Sequence, residues 1–389
     1  MHGDESVGRE MILAMVQYLV TNYGIETRVT ELLDSSEIHL VPSMNPDGFE
    51  AVTRGNYNNV DLNRAFPGEE LMGEEERLTE NREPEVVAVI DWILEHPWVV
   101  SINFHDGAVV ANYPWDKRGM TPWSKSDRFR KPSLLEEGSS STTDNSEFVM
   151  LAELYSSKHT TMGSQDPGCG KFERGITNGA DWYEISGGMQ ANYHFYLLCV
   201  QMSMFQDFNY LFTNCMEITL ELSCVKKPLS KMLQPEWEKN MEPMMAYLEV
   251  AKSLLHGVVT DASGEPVEAA HIKIQGREKD VLTTEMGEYW RVLSPGTYTL
   301  QAIKDDMASD EVTVTIASDW RARSGQRLDL SLSKPLTRSQ TTEPPPTTTT
   351  TTTTTTEPTP VEGTNLYILP GICINISLSF TPIKGCTEN

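Results

Sequence analysis

Three residues of the chain have the types and the spacing of a metal site. His2 and Glu5 form an H-x-x-E pair just before a predicted helix, so an imidazole and a carboxylate can reach one cation from a tight turn. His105 ends the apolar run SINFH, and in open α/β sheets ligands gather at the carboxyl ends of strands. Catalytic zinc keeps three protein ligands and one open position. We therefore predict a zinc site at His2, Glu5 and His105.

The other histidines are interpreted as ordinary residues. His39 lies within a short predicted strand and His96 at the end of a predicted helix, while His256 and His271 lie in a β-rich segment. In such positions a histidine is usually partly buried or exposed without a ligand. These four are therefore not assigned to a site.

An α/β domain is predicted to position the ligands. Apolar residues at helical spacing predict helices over residues 5–23 and 83–96. The runs 98–104 and 214–223 are nearly continuous apolar stretches, which is typical of strands buried on both faces. Helices that alternate with buried strands indicate a mixed, largely parallel sheet flanked by helices. We predict that this domain covers residues 1–255.

The remainder of the chain changes character twice. Residues 256–333 contain short alternating runs separated by Gly-containing turns, which predicts a small antiparallel β-sandwich. Residues 334–363 are rich in Thr and Pro, and such a segment buries too little apolar surface to offset its ordering entropy. It is interpreted as a disordered, O-glycosylated stalk. Residues 364–389 are interpreted as a C-terminal tail with an N-glycosylation sequon at Asn375.

Charge and cysteine content restrict the partners and the compartment. The 389 residues carry a net charge of −25, which argues against nucleic acid or anionic membrane as the main partner and is compatible with cationic substrates. No apolar run reaches the roughly 18 residues needed to span a bilayer, so no transmembrane segment is expected. Six scattered cysteines weakly favour an oxidising compartment without indicating their connectivity. No signal peptide is expected within the chain, because a polar motif follows Met1.

Six motifs occur in an order that resembles a known enzyme family. They are MHGDESVGRE, PSMNPDGFE, TRGNYNNVDLNRAFPG, NFHDGAVVANYPWD, GITNGADWYEISGGMQ and CMEITLELSC. Together they resemble the zinc metallocarboxypeptidases of peptidase family M14, in the regulatory (N/E) subfamily that includes carboxypeptidases M and D. Residues 256–333 resemble the transthyretin-like domain that follows the catalytic domain in that subfamily. The resemblance covers about residues 1–333 and implies an extracellular zinc peptidase.

The resemblance implies a role for each matching residue. His2, Glu5 and His105 match the zinc ligands. Glu221, in the run LELS, matches the catalytic glutamate, which takes a proton from water and passes it to the leaving amine. Glu217 has the same even spacing and lies on the same face of the predicted strand, so spacing alone does not choose between the two carboxylates. The family match selects Glu221.

The resemblance also implies the residues that bind the substrate. Arg54, Asn63 and Arg64 match the groups that bind the terminal carboxylate and polarise the scissile carbonyl, and a planar guanidinium suits a carboxylate because it pairs bidentately. Tyr183 matches the tyrosine that closes over the terminal residue. These four residues are therefore expected to surround the substrate's C-terminus.

The expected specificity rests on two further residues. Asp116, in YPWD, and Gln190, in GGMQ, match the pocket for the terminal side chain. A buried aspartate selects Lys or Arg, because leaving the carboxylate unpaired is costly. The resemblance thus implies removal of C-terminal Arg or Lys from peptides and proteins, and the negative net charge would attract such substrates.

Three departures from the family pattern leave a second function open. The family has strands ahead of the H-G-D-E motif, which here follows Met1 directly. Residues 191–206 intervene between GGMQ and DFNY, which are contiguous in the family. An aspartate, Asp106, replaces the first glycine of the family's His-Gly-Gly. The alternative is a non-catalytic extracellular binding or stalk protein that keeps the fold without a rigid site.

Overall fold

The computed structural model describes residues 1–117, 140–163, 168–182, 202–318, 325–336 and 371–374. The helices in these ranges are α1 (Val7–Asn22), α2 (Thr27–Ser35), α3 (Pro46–Ala51), α4 (Pro84–Leu94), α5 (Asn145–Ser156), α6 (Gly179–Trp182), α7 (Phe205–Phe212) and α8 (Leu233–Leu248). The strands are β1 (Glu37–His39), β2 (Phe66–Pro67), β3 (Trp98–His105), β4 (Val110–Tyr113), β5 (Ile176–Asn178), β6 (Met202–Ser203), β7 (Met216–Glu221), β8 (Leu255–Asp261), β9 (His271–Ile274), β10 (Val281–Leu282), β11 (Glu288–Arg291), β12 (Gly296–Lys304), β13 (Met307–Ala308), β14 (Val312–Ile316), β15 (Gln326–Arg327), β16 (Leu330–Leu332), β17 (Lys334–Pro335) and β18 (Gly371–Ile374).

The predicted helices that flank the ligands are present. Helix α1 buries Val7, Met11, Met15 and Leu19, whose spacing of four places them on one face. Helix α4 begins at Pro84, where the missing N–H of proline costs nothing because the first helical turn has no internal acceptor for it. None of the helices in the described ranges is long and apolar enough to cross a bilayer.

The central sheet is mixed, as predicted. Within the described residues its strands are ordered β1-β18-β3-β7-β4-β5. Strands β1, β18, β3 and β7 are parallel, whereas β4 is antiparallel to β7 and parallel to β5. Every residue of β3 is buried, which explains its nearly continuous apolar sequence. Helix α1 contacts β3 and α8, and α7 packs against β7. The predicted sheet flanked by helices is confirmed.

Strand β18 comes from the segment that we interpreted as a tail. Its four residues lie between β1 and β3 and run parallel to both. The sequence analysis did not anticipate this strand, because a short apolar run does not reveal partners that lie hundreds of positions earlier in the chain. The C-terminal segment therefore contributes to the sheet that positions the site.

The second domain is a β-sandwich made of strands β8 to β17. One sheet has the order β10-β9-β12-β13-β17, with β14 also paired to β12, and the other groups β11, β15 and β16 around β8. Most pairs are antiparallel, as predicted, but β15 and β16 run parallel to β8. Parallel pairing is possible there because these strands do not reach β8 through a hairpin, which would force antiparallel pairing.

Buried ion pairs connect the two domains. Asp144, which precedes α5, accepts a hydrogen bond from Arg291 of β11 at 2.5 Å, and Glu147 pairs with Arg277 at 2.9 Å. Both carboxylate side chains are fully buried. Apolar residues of both domains also form one continuous core cluster. The sandwich is thus packed onto the domain that carries the site.

Candidate active site

The predicted ligands and Glu221 meet at the carboxyl ends of two neighbouring strands. His105 ends β3 and Glu221 ends β7, and the two are register partners in a parallel pair. Residues that are register partners on neighbouring strands point to the same face of the sheet, so the side chains of His105 and Glu221 lie on the same face. His2 and Glu5 reach this edge from the turn before α1.

The turn at residues 2–5 is held by two local features. The N–H of Val7, the first residue of α1, donates to the carboxylate of Asp106 at 2.9 Å, so this departure from the family motif caps the helix. Gly3 lies so close to Gly48 that a Cβ atom at position 3 would be 2.0 Å from the Gly48 carbonyl carbon. The glycine of H-G-D-E therefore allows the turn to pack against α3.

Three donor atoms form a small triangle. The Nδ1 atom of His2 is 2.9 Å from Oε2 of Glu5, the Nδ1 atom of His105 is 2.7 Å from the same oxygen, and the two nitrogens are 3.0 Å apart. Ligand atoms about 2.0–2.1 Å from a tetrahedral Zn²⁺ are separated by about 3.3 Å. A zinc ion therefore fits after each donor moves outward by a few tenths of an ångström.

Neighbouring polar groups orient the two imidazoles. The Nε2 atom of His2 lies 3.0 Å from Oδ1 of Asp61. The Nε2 atom of His105 lies 2.9 Å from the side-chain amide of Asn103 and 3.1 Å from that of Asn63. The outer nitrogen of each ring is engaged, at His2 by a carboxylate and at His105 by two side-chain amide nitrogens, so the Nδ1 atom of each ring faces the centre of the triangle.

The protonation states also suit a cation. Burial lowers the pKa of His105 to about 3, which leaves its imidazole neutral and its lone pair available. Burial by itself would raise the pKa of Glu5, but the charges and hydrogen bonds of His105 and His2 outweigh it and hold that pKa below its usual value. Lys226 donates to the other carboxylate oxygen of Glu5 at 2.9 Å. Two imidazole nitrogens and an ionised carboxylate match the ligand set of catalytic zinc.

The structure separates the two carboxylates that strand spacing did not distinguish. Burial, and secondarily the charge of Glu5, raise the pKa of Glu221 to about 8. Its buried Oε2 atom has no hydrogen-bond partner among the described residues. Glu217 lies four residues earlier on β7, about 13 Å away, and is fully buried. Its Oε2 atom accepts hydrogen bonds from Ser101 at 2.5 Å and Asn209 at 2.8 Å.

Arg54 borders the triangle. Its Nη1 atom is 3.2 Å from Nδ1 of His2 and 3.5 Å from a carboxylate oxygen of Glu5. Its Nε donates to Asp61 at 2.8 Å, and the side chain is 42% exposed. The guanidinium is therefore positioned between the ligands and the solvent, where an incoming anion would meet it.

Asn63 and Arg64 lie deeper. Asn63 is 1% exposed, and besides its contact with His105 its side-chain oxygen accepts a hydrogen bond from the N–H of Phe205. Arg64 donates to the backbone carbonyl of Asn63 at 2.8 Å, and its positive charge lowers the pKa of Asp116. Arg64 thus contacts Asn63, a neighbour of His105, and is near enough to Asp116 to act on its charge.

Asp116 is buried, with 2% of its surface exposed. Its two carboxylate oxygens accept hydrogen bonds from Gln206 at 2.8 Å and Asn112 at 3.0 Å. Burial raises its pKa to about 6, because the hydrogen bonds and the charge of Arg64 only partly offset desolvation. Two predicted site residues, Tyr183 and Gln190, lie outside the residues that the structure describes.

The sequence analysis missed several residues of the site. Gln206 contacts Asp116. The sequence contained a signal for it, because a glutamine directly precedes DFNY both in the family and here, in the run QDFNY. Asp61 and Lys226 contact the ligands from loops, and no local pattern marks them. Their contacts depend on tertiary packing.

Comparisons with known proteins identify the family of both domains. A model of the zinc carboxypeptidase family matches residues 1–243, and a model of the carboxypeptidase regulatory-like domain matches residues 255–332. Carboxypeptidase D of Drosophila melanogaster is 40% identical over 316 residues, which cover 78% of this chain and 20% of the relative. Human carboxypeptidase D is 36% identical over 337 residues, which cover 82% of this chain and 22% of the relative.

A shorter relative is matched over most of its length. The carboxypeptidase N catalytic chain of Rattus norvegicus is 39% identical over 344 residues, which cover 81% of this chain and 70% of the relative. In contrast, the chain spans only about a fifth of the carboxypeptidase D proteins that it matches. Because the first family model covers more than half of the chain, the chain belongs to the zinc carboxypeptidase family, a class of metal-dependent hydrolases whose cofactor is Zn²⁺.

Proposed function

We propose that this chain is a zinc-dependent carboxypeptidase that removes C-terminal arginine and lysine from peptides and proteins. The observation that carries the proposal is the triangle of His2, Glu5 and His105, with Glu221 beside His105 at the ends of two parallel strands. Membership of the zinc carboxypeptidase family supports the hydrolytic part. The buried Asp116 supports the choice of terminal residue.

Glu221 is proposed as the general base and acid. His2, Glu5 and His105 would hold Zn²⁺, which would supply Lewis-acid chemistry to the scissile carbonyl and to the attacking water. Burial raises the pKa of Glu221 to about 8, and the positive charge of a zinc ion in the triangle would lower it again and favour the ionised form. The Glu221 carboxylate would then accept a proton from the attacking water and return it to the nitrogen of the leaving amine. Its unpartnered buried oxygen supports this role, because the described residues leave that atom available to a water molecule or a substrate.

Three residues are proposed to hold the substrate's terminal carboxylate and scissile carbonyl. Arg54 is exposed and borders the ligand triangle, which supports bidentate pairing with a carboxylate. Arg64 and Asn63 continue from there towards Asp116, so a substrate could contact all three groups along one path. Tyr183 is proposed to close over the terminal residue on the family resemblance alone.

Asp116 is proposed to select cationic side chains. Its hydrogen bonds from Gln206 and Asn112 are made by neutral amides, so the negative charge is only partly compensated at this depth. An Arg or Lys side chain would supply the missing positive charge, whereas Leu or Phe would leave it unpaired. Gln190, in the stretch that the structure does not describe, stays a predicted member of the same pocket.

An extracellular or secretory location is proposed for the chain. The disulfide between Cys169 and Cys224 supports an oxidising compartment. The Thr-rich segment 334–363 and the sequon at Asn375 are proposed glycosylation sites. The net charge of −25 would concentrate cationic peptides near the protein at low ionic strength.

The test compares peptides that differ only in their last residue. We expect zinc-loaded protein to cleave peptides ending in Arg or Lys at least about fivefold more efficiently than those ending in Leu or Phe, because an unpaired buried carboxylate costs about 1–3 kcal/mol. Asp116→Ala should remove this preference and keep the zinc content, whereas chelation of zinc should stop cleavage of all four peptides.

Two results would contradict the proposal in different ways. Equal or better cleavage of the Leu and Phe peptides would show that Asp116 does not line the pocket. Binding of Arg peptides without cleavage by zinc-loaded protein would favour the non-catalytic binding function instead.

A further inference from the structure

A second cluster of metal-ligating side chains lies at the other end of the central sheet. Glu37 and His39 lie on β1, and His96 precedes β3. One donor atom from each side chain lies within 4.8 Å of the other two. The cluster is near the start of β3, whereas His105 ends that strand about 23 Å away at roughly 3.3 Å per residue. It is therefore distinct from the candidate active site.

Local structure brings the three side chains together. Glu37 and His39 are two residues apart on a strand and so point to the same face, with Oε1 and Nε2 separated by 2.5 Å. The ring of His96 stacks on Trp98 with centroids 5.2 Å apart and meets the His39 ring edge-on at the same centroid distance. The aromatic packing thus holds both imidazoles in place.

One ring nitrogen of His96 is unsatisfied. The Nδ1 atom of His96 is buried without a hydrogen-bond partner in the described part of the chain. A buried polar atom left unpaired destabilises the folded state, and a bound cation would satisfy it. Helix α4 ends two residues before His96, and the partial negative charge of a helix C-terminus favours a cation nearby.

We infer that Glu37, His39 and His96 bind a divalent transition metal ion, with Zn²⁺ as the expected occupant. Two imidazoles and one carboxylate suit zinc, whereas Mg²⁺ and Ca²⁺ prefer oxygen ligands alone. The Glu37 side chain is 51% exposed, so it can rotate to close the site and leave a fourth position to water. This inference revises our interpretation of His39 and His96 as ordinary histidines.

The role of this ion is structural. Strand β18 separates β1 from β3 in the sheet, so backbone hydrogen bonds connect those two strands only through the C-terminal segment. An ion held by β1 and by His96 links them directly. Metal binding at this cluster therefore stabilises the edge of the sheet independently of the catalytic zinc.

The experiment measures zinc stoichiometry in the full chain. Protein freed of metal by chelation is reloaded with Zn²⁺, separated from free ion and measured by mass spectrometry of the metal. We expect about two zinc ions in the unchanged chain and about one in His96→Ala, Glu37→Gln or His105→Ala. His96→Ala should keep peptide cleavage within about threefold, because it lies far from the candidate active site. His256→Ala, at a half-buried histidine of the sandwich, is the matched control and should keep both ions.

A second measurement separates metal binding from packing. In the His105→Ala background, added Zn²⁺ should raise the Tm, and the further change Glu37→Gln, at an exposed side chain that supports no packing, should abolish that rise. Added Mg²⁺ should not raise the Tm in either protein. Equal zinc stoichiometry in the unchanged chain, His96→Ala and Glu37→Gln would overturn the inference, whereas a single ion that is lost only in His105→Ala would place the metal at the candidate active site alone.

Discussion

Replacing Glu221 by Gln is the sharpest test of the proposed chemistry. Glutamine keeps the shape of the side chain and removes its ability to accept a proton from water. Because the three proposed ligands are elsewhere, we expect the variant to keep its zinc and its fold. Turnover of a peptide ending in Arg should fall by about 10²–10⁴-fold, the usual contribution of general acid–base catalysis. At about 1.36 kcal/mol for each tenfold, this corresponds to about 2.7–5.4 kcal/mol.

Glu217→Gln is the matched control on the same strand. Burial raises the pKa of Glu217 well above its usual value, which opposes its ionisation, so a neutral amide suits this site better than it would suit an exposed carboxylate. The hydrogen bonds from Ser101 and Asn209 can be kept by the amide oxygen, but the NH₂ group would be buried at an atom that has no partner in the described region. We expect a loss of stability of about 1–3 kcal/mol and turnover within about threefold of the unchanged chain.

The assay for both variants combines three readouts. Zinc content is measured first, then the free energy of unfolding in urea, and then kcat and KM with a peptide ending in Arg. If Glu217→Gln abolished turnover at normal zinc content while Glu221→Gln was mild, the assignment from strand register would be refuted. Loss of zinc in Glu221→Gln would instead place that carboxylate among the ligands.

Three further predictions follow from contacts around the site and between the domains. Asp61→Ala should weaken zinc binding about 10–100-fold in a chelator competition, because it removes the carboxylate that orients His2. The preference for Arg over Leu in kcat/KM should increase as the pH rises from about 5 to 7, since the pKa of Asp116 is raised to about 6 and only its ionised form attracts a cation. Arg291→Met should lower the free energy of unfolding by about 1.5–3 kcal/mol, because the buried Asp144 loses its 2.5 Å charged partner and keeps only Arg277 at 3.4 Å and the hydroxyl of Tyr210. Arg327→Met, at an exposed ion pair, should change it by less than about 1 kcal/mol.

Each of these has a result that would contradict it. Unchanged zinc affinity in Asp61→Ala would mean that the contact with His2 does not orient the ring. A preference for Arg that does not change with pH would separate Asp116 from the pocket. Equal effects of Arg291→Met and Arg327→Met in urea would show that the domain interface tolerates the lost charge.

Much of the candidate metal centre could be predicted from the sequence because its signals are local. His2 and Glu5 are three residues apart in a turn before an amphipathic helix, and His105 ends a continuous apolar strand. Parallel strands bring their carboxyl ends to one edge of a sheet. Side chains that follow such strands can therefore be predicted to lie close together before the rest of the fold is known. The mixed sheet and the sandwich followed from hydrophobic periodicity in the same way.

The choice between alternatives depended on tertiary structure. Glu217 and Glu221 have equivalent spacing, and only the register of β7 against β3 places Glu221 beside His105. Likewise, Gln190 and Gln206 are both candidates for the glutamine that precedes DFNY in the family. Tertiary packing places Gln206 against Asp116. A sequence pattern does not distinguish two residues on the same face of a strand, because they differ only in their position along that strand.

The sequence by itself determined the ligand types, their order and the elements that carry them. Tertiary structure decided which distant segments meet. It placed residues 371–374 between β1 and β3, joined Cys169 to Cys224 and gathered Glu37, His39 and His96 into a second cluster. These contacts join positions tens to hundreds of residues apart, and no local propensity encodes them. They form because burying the apolar faces of helices and sheets selects one global arrangement, and the polar contacts follow from that packing.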